Sequence, residues 1–298
     1  MLSENIKRFF FLIGEKNSNH LRYLDKIELS QDDIYEFDKL LLYYIESGVS
    51  LEEQRDSYLT ILEDTLRETQ FFIEYGHYRY NSFDEVKDKV YLNKEYMKKY
   101  MIGLALSSYI WIAHIKVRHY FLDYIKTQKS VGKYLEIGPG HGEFFTIALK
   151  ESAFQSYVGM DLSPTSCELT KNMVEHQVGD LINKCQFLCA DFFSYSFNEK
   201  VDLIVIGEVL EHVENPLHFL LRAKEILTSQ GEIFATIPIN APAIDHIYLF
   251  SNPDEVKEMI KKAGLKIKES NYFMANNYSL EKALKLKNAI TMTVVLTK

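Results

Sequence analysis

Residues 134–145 read YLEIGPGHGEFF, an apolar stretch that runs into glycines at alternate positions, Gly138, Gly140 and Gly142. Glycine lets a backbone turn tightly and approach a ligand where a Cβ would collide. A buried strand opening directly into such a loop is therefore the feature that most restricts this chain. The dinucleotide fingerprint G-x-G-x-x-G, counted from Gly138, requires glycine at position 143, where the chain has Glu143. Glu136, two residues before the first glycine, would repel a pyrophosphate and suits a cationic ligand.

The stretch is one of a series. KYLEIG, SYVGMD, CQFLCAD, VDLIVIG, GEIFATIPI and AITMTVVLT are short apolar runs, most ending in an acid or glycine, with helical stretches between the first five. Near-continuous hydrophobicity marks strands buried on both faces, hence a parallel sheet with helices around it. Open sheets of this kind bind ligands beyond the carboxyl ends of their strands.

Residues 1–130 follow a different grammar. They contain no proline and few glycines, and their apolar residues recur at helical spacing. The spacing predicts helices near 31–47, 50–75, 84–90 and 93–127. Ser50 and Glu53 form a capping box, Gly76 closes that helix, and Leu59, Leu62, Leu66 and Ile73 mark its apolar stripe. This aromatic-rich segment reads either as plain helical core or as a cap that shapes a substrate pocket. The chain divides into a helical N-terminal domain, 1–130, and an α/β domain, 131–298.

A net charge of −8 argues against a nucleic-acid partner, which needs a basic face. Cys167, Cys185 and Cys189 form no CxxC pair and no disulfide framework, so they read as reduced thiols of a cytoplasmic protein. The apolar run in KRFFFLIGEK is too short for a signal sequence. YMIGLALSSYIWIAHIKV carries His114 and Lys116 and reads as a buried helix, so no membrane association is expected.

The E-x-G-x-G-x-G arrangement from Glu136 to Gly142 resembles the first motif of the Rossmann-like S-adenosylmethionine-dependent methyltransferases. The resemblance covers residues 132–298. It implies a seven-stranded, mostly parallel sheet with helices on both faces and S-adenosylmethionine as cofactor. On that resemblance Glu136, Gly138, Pro139, Gly140 and Gly142 form the cofactor loop. Asp161, with Leu162 in GMDLSP, would hold the ribose hydroxyls. One carboxylate can accept two charge-assisted hydrogen bonds from a diol. Asp191 and Phe192 in CADFF would meet the adenine, and Glu208 would lie near the cofactor. Against these roles stand helix or turn caps for both aspartates and a core position for Phe192. GEIFATIPI resembles the fifth strand, and LFSNPDEVKEMIKKAGLKI the helix before the sixth.

In GEVLEHVENP, Glu208, Glu211 and His212 stand at i, i+3 and i+4, one face of a helix. Three readings are open. His212 is a general base beside a cofactor-facing Glu208. All three bind a divalent metal, as E-x-x-E-H resembles the magnesium site of the small-RNA 2′-O-methyltransferases and of ubiquinone-pathway O-methyltransferases. Or LEH is only a helix start. The later loop PINAPAIDHIYLF brings Asp245 and His246 to the same sheet edge, with His246 as a second candidate base or a fourth ligand for Mg²⁺ or Mn²⁺. His141 would touch the cofactor, and His114 and His119 would line a substrate pocket or serve structure.

The expected activity is methyl transfer to a small-molecule acceptor, on oxygen. The rivals are a protein or RNA methyltransferase and a non-catalytic S-adenosylmethionine-binding partner subunit. A dinucleotide oxidoreductase fails at Glu136 and Glu143.

Overall fold

The structure is a computed structural model and describes residues 2–298. The N-terminal half is helical: α1 (Glu4–Lys16), α2 (Ser18–Leu24), α3 (Gln31–Glu46), α4 (Leu51–Tyr75), α5 (Phe83–Val86), α6 (Lys94–Ser107) and α7 (Ile112–Lys126). Strands and helices then alternate: β1 (Lys133–Ile137), α8 (Glu143–Glu151), β2 (Ser156–Asp161), α9 (Pro164–Val178), β3 (Cys185–Cys189), β4 (Val201–Gly207), α10 (Pro216–Ile226), β5 (Leu227–Ile239), α11 (Pro253–Lys262), β6 (Lys266–Met274), α12 (Leu280–Lys285) and β7 (Ile290–Thr297).

Local chemistry sets the helix ends. Ser50 accepts from the Glu53 amide while the Glu53 carboxylate accepts from the Ser50 amide, and Gly76 closes α4 at φ 77°. Asn17 ends α1 and caps α2, two short helices that the spacing did not predict. The helix expected near 84–90 is a single turn, 83–86.

Two expectations for the helical half are corrected. The helix expected over 93–127 is two, α6 and α7, bent by 74°. Trp111 breaks it with extended backbone, and its indole donates to the Tyr58 hydroxyl at 3.1 Å, so the bend is tied to α4. On α4, Leu66 and Ile73 are 54% and 78% exposed. The buried stripe there is Ile61, Asp64, Glu68 and Phe72. Its acids are tolerated because they are paired: Arg67 reaches Asp64 at 2.6 Å, Arg79 reaches Glu68 at 2.9 Å, and the Tyr96 hydroxyl donates to Asp64. Among the described residues no single helix is long and apolar enough to cross a membrane.

The sheet order is β3-β2-β1-β4-β5-β7-β6. β7 runs antiparallel to both β5 and β6, and the other pairs are parallel. This is the seven-stranded, mostly parallel sheet expected, with β5 starting four residues earlier than the apolar run suggested. The core on one side of it packs β1, β4, β5 and β7 against α10 and α11. The helical half has its own core, which reaches Met173 of α9. The chain order reverses between β1 and β4, the place where open sheets of this kind form a ligand crevice at the carboxyl edge.

Candidate active site

The glycine loop leaves β1 at that crevice. Gly138 and Gly142 hold φ of 66° and 84°, the left-handed region. A Cβ on Gly138 would also stand 2.8 Å from Val209, and one on Gly142 3.2 Å from Thr170, so both positions exclude side chains. Thr170 donates to the Gly140 carbonyl at 2.6 Å and ties the loop, with buried Pro139, to α9.

Asp161 ends β2 partly buried. It accepts from the Ser163 amide at 2.8 Å and the Ser166 hydroxyl at 2.7 Å, and burial raises its pKa. The cap of α9 is Ser163, so Asp161 is free of that role and keeps acceptor capacity for a further ligand. Leu162 beside it is half exposed.

Three sequence expectations change here. Phe192 is buried and packs on Phe219, with ring centroids 4.7 Å apart, so it belongs to the core and does not face a ligand. Its neighbour Phe193 is the exposed ring of the pair. Asp191 is exposed and turns back to its own loop, accepting from the Phe193 amide at 3.0 Å. The sequence offers Glu136 as a charge for a cationic ligand. The residue lies buried against the Tyr134 hydroxyl, and burial pushes its carboxyl up to about 8.

The second cluster sits at the ends of β4 and β5. Glu208 and Asn240 end these strands with φ of 52° and 48°. For glutamate that conformation is costly and marks a segment held by its surroundings. Here the Glu208 amide donates to the Thr236 hydroxyl at 2.9 Å. The expected helical face is corrected: the LEH segment is a 3₁₀ turn, Leu210–His212, and α10 starts only at Pro216.

The turn nevertheless brings Glu211 and His212 against His246. One ligand atom from each of the three lies within 4.8 Å of the others. Glu208 stands outside that group. Glu211 is fully buried, and neither carboxyl oxygen has a hydrogen-bond partner, nor has one oxygen of Glu208. His212 and His246 place Nε2 at 3.5 Å and 3.8 Å from Glu211 Oε1. Their other nitrogens face backbone carbonyls: His212 Nδ1 meets Asp245 O at 3.0 Å and His246 Nδ1 meets Ala241 O at 2.7 Å. A carbonyl only accepts, so each Nδ1 carries a proton.

Charge follows burial. Burial raises the Glu211 pKa strongly, and the charges of Glu208 and Asp245 add to it. Burial, then His212, lowers His246 to about 4, so its ring is neutral. Two imidazole nitrogens and an orphaned carboxyl converging in a largely buried site could hold a divalent ion.

The helical half covers this centre. A strap, Gly76–Asn93, crosses the carboxyl edge. Its Tyr78 hydroxyl donates to Ala241 O at 3.1 Å, its Phe83 amide donates to Glu214 at 2.9 Å, and its Tyr91 carbonyl accepts from Ser163 at 3.3 Å. The hydroxyls of Tyr91 and Tyr100 donate to the two oxygens of buried Asp245 at 3.0 Å and 2.9 Å. The rings of Tyr78 and Tyr91 stand 5.8 Å from His246 and 6.3 Å from His212. Sequence reasoning named none of these tyrosines as site residues, because 20 tyrosines spread along the chain carry no spacing signal.

The remaining histidines fall elsewhere. His119 and His141 line a cavity of about 630 Å³ with Asp33, Tyr109, Arg118 and Glu143, which no residue of the Glu211 cluster reaches. Arg118 bridges Asp33 and Glu143 at 2.8 Å and 2.7 Å. His114 lines no part of that cavity; it is half-buried, with Nδ1 2.9 Å from the Ser107 hydroxyl.

A family model described as a methyltransferase domain matches residues 112–270. No curated protein matches the chain. Among solved structures, magnesium protoporphyrin IX methyltransferase (ChlM) from Synechocystis PCC 6803 with bound S-adenosylmethionine is similar with a TM-score of 0.54 and 11% identity, covering 72% of this chain and 97% of that one. The mitomycin 7-O-methyltransferase MmcR gives 0.52 at 11% identity, covering 83% and 70%. The [4+2]-cyclase SpnF gives 0.50 at 12% identity, covering 62% and 80%. These likenesses show the fold.

Proposed function

The chain belongs to the methyltransferase domain family, and from that premise we propose that it moves the methyl group of S-adenosylmethionine onto an oxygen of a small-molecule acceptor. The observation that carries this reading is the convergence of Glu211, His212 and His246 under a roof of tyrosines, at the sheet edge where the glycine loop and Asp161 also end. A sealed site suits a small acceptor better than a protein or RNA strand. ChlM and MmcR, whose names give small-molecule acceptors, are methyltransferases of this fold.

The glycine loop and the Asp161 carboxyl supply the room and the diol acceptor that S-adenosylmethionine needs. When bound, that donor supplies an electrophilic methyl group. Glu211, His212 and His246 would hold a divalent ion, which when bound polarises an acceptor hydroxyl. Two imidazoles and one carboxylate suit Mn²⁺, Fe²⁺ or Zn²⁺ better than Mg²⁺, which prefers oxygen alone. The chain's own residues do the rest. The carbonyls of Asp245 and Ala241 fix both imidazole tautomers. The neutral His246 imidazole keeps an open nitrogen for the ion or for the acceptor proton. The tyrosine roof excludes water and aligns the acceptor for in-line attack.

The test is incubation with labelled S-adenosylmethionine and pools of hydroxylated small molecules. A labelled, base-stable ether product supports the reading. Cofactor binding by calorimetry with no transfer to any pool, peptide or RNA would leave a non-catalytic binding subunit instead.

A further inference from the structure

The helical half does more than cover the reaction centre. Asp245 is buried, and each of its carboxylate oxygens receives one hydroxyl from the helical half, Tyr91 to Oδ2 and Tyr100 to Oδ1. Those hydroxyls lie 154 and 145 residues from Asp245 in sequence. The same aspartate faces His212 twice, with its carbonyl 3.0 Å and its Oδ2 3.5 Å from Nδ1. Both rings pack within the helical half: Tyr91 tilted against Phe83 of the strap, Tyr100 stacked on Tyr96 of α6.

We propose that Tyr91 and Tyr100 are positioning residues of the reaction centre: by holding Asp245 they set the orientation and tautomer of His212. The inference rests on the reading of His212 as a reaction-centre residue. A buried carboxylate with two hydroxyl donors has one stable rotamer, because turning it would leave a lone pair unpartnered in a dry site. With its side chain pinned, Asp245 keeps its backbone carbonyl on the Nδ1–H of His212 at 3.0 Å, which leaves that N–H one direction to donate. Its Nε2 then has to face Glu211, which is the productive direction. The reaction centre is thus completed by residues of the helical half, and the α/β half alone holds His212 by less.

The test reads His212 directly and needs no acceptor. Long-range ¹H–¹⁵N spectra of the ¹⁵N-histidine-labelled full chain give the tautomer of each ring, with His212 assigned through His212→Gln. The wild type is expected to show His212 as a single Nδ1–H tautomer. Tyr91→Phe/Tyr100→Phe keeps the rings and removes only the hydroxyls. It is expected to shift both His212 nitrogens toward a mixed tautomer, while His114, held on Ser107 within the helical half, keeps its signals and shows that half intact. Asp245→Asn, which cannot take two hydroxyl donors on equal terms, is expected to shift His212 in the same way. Should the double variant fail to fold, each single variant reads the same signal. Unmoved His212 resonances in the folded variants overturn the proposal. Calorimetry with S-adenosylmethionine on the wild type keeps the two readings apart: absent binding there sinks the methyltransferase reading, whereas only the His212 spectrum decides this one.

Discussion

The rings of His212 and His246 stand 4.9 Å apart at 79°, and both turn Nε2 toward one carboxylate, that of Glu211. If this arrangement serves an ion, Mn²⁺ or Zn²⁺ will bind with one-to-one stoichiometry, chelator will remove activity, and His246→Ala will lose the calorimetric signal. Glu211→Leu replaces an orphaned buried acid with an apolar group. It should raise the stability of the metal-free protein by about 1–3 kcal/mol, the cost of an unsatisfied buried polar group, while abolishing metal binding. Metal-free unfolding of Glu211→Leu at or below wild-type stability would count against an uncompensated Glu211.

Asp161 keeps acceptor capacity at the end of β2. Asp161→Ala should weaken S-adenosylmethionine binding by about 1.5–3 kcal/mol, the range for hydrogen bonds to a charged group. Calorimetry measures it. An unchanged affinity would move the ribose site elsewhere.

Glu136 keeps its proton to about pH 8 in the folded chain and releases it near 4.5 when unfolded. Between those values the folded state binds more protons, so stability falls as pH rises, by at most about 1.4 kcal/mol per pH unit. Below 4.5 the contribution is level. Urea unfolding at pH 5, 6.5 and 8 should show a steeper decline for the wild type than for Glu136→Gln. Parallel curves would mean that Glu136 titrates normally.

Arg118 is buried between Asp33 and Glu143, joining α3, α7 and the first turn of α8. Arg118→Leu leaves two carboxylates facing each other without their cation. The expected loss is about 3–5 kcal/mol, read by chemical unfolding. A loss under about 1 kcal/mol would show that water or His119 takes over the charge.

The sheet was legible because each buried strand is a run of apolar residues, and the glycine loop because each turn forbids a Cβ. The helical half was less legible, since α4 buries Asp64 and Glu68 and exposes Leu66 and Ile73, a reversal that depends on Arg67 and Arg79 being near. The break at Trp111 was hidden for a similar reason: its partner, Tyr58, is 53 residues away. In the site, the i, i+3, i+4 spacing pointed to Glu211 and His212 and the loop after the fifth strand to His246, and the structure brings the three together although the expected helix is a 3₁₀ turn. Spacing could not rank Asp245 beside them, because the importance of that aspartate comes from two tyrosines contributed across the fold. Phe192 and Glu136 differ for one reason: sequence gives a residue's place on a strand, and the direction of its side chain depends on what packs against it.

The strap Gly76–Asn93 is tied to the loops after β2, β4 and β5 at once, through Ser163, Glu214 and Ala241. A segment fastened at three points has to let go of at least one of them before it can move aside. If the acceptor enters beneath the strap, release of these contacts is part of each turnover, and the strength of the three ties sets how often the site opens. Such an enzyme should run faster, not slower, in urea too dilute to unfold it.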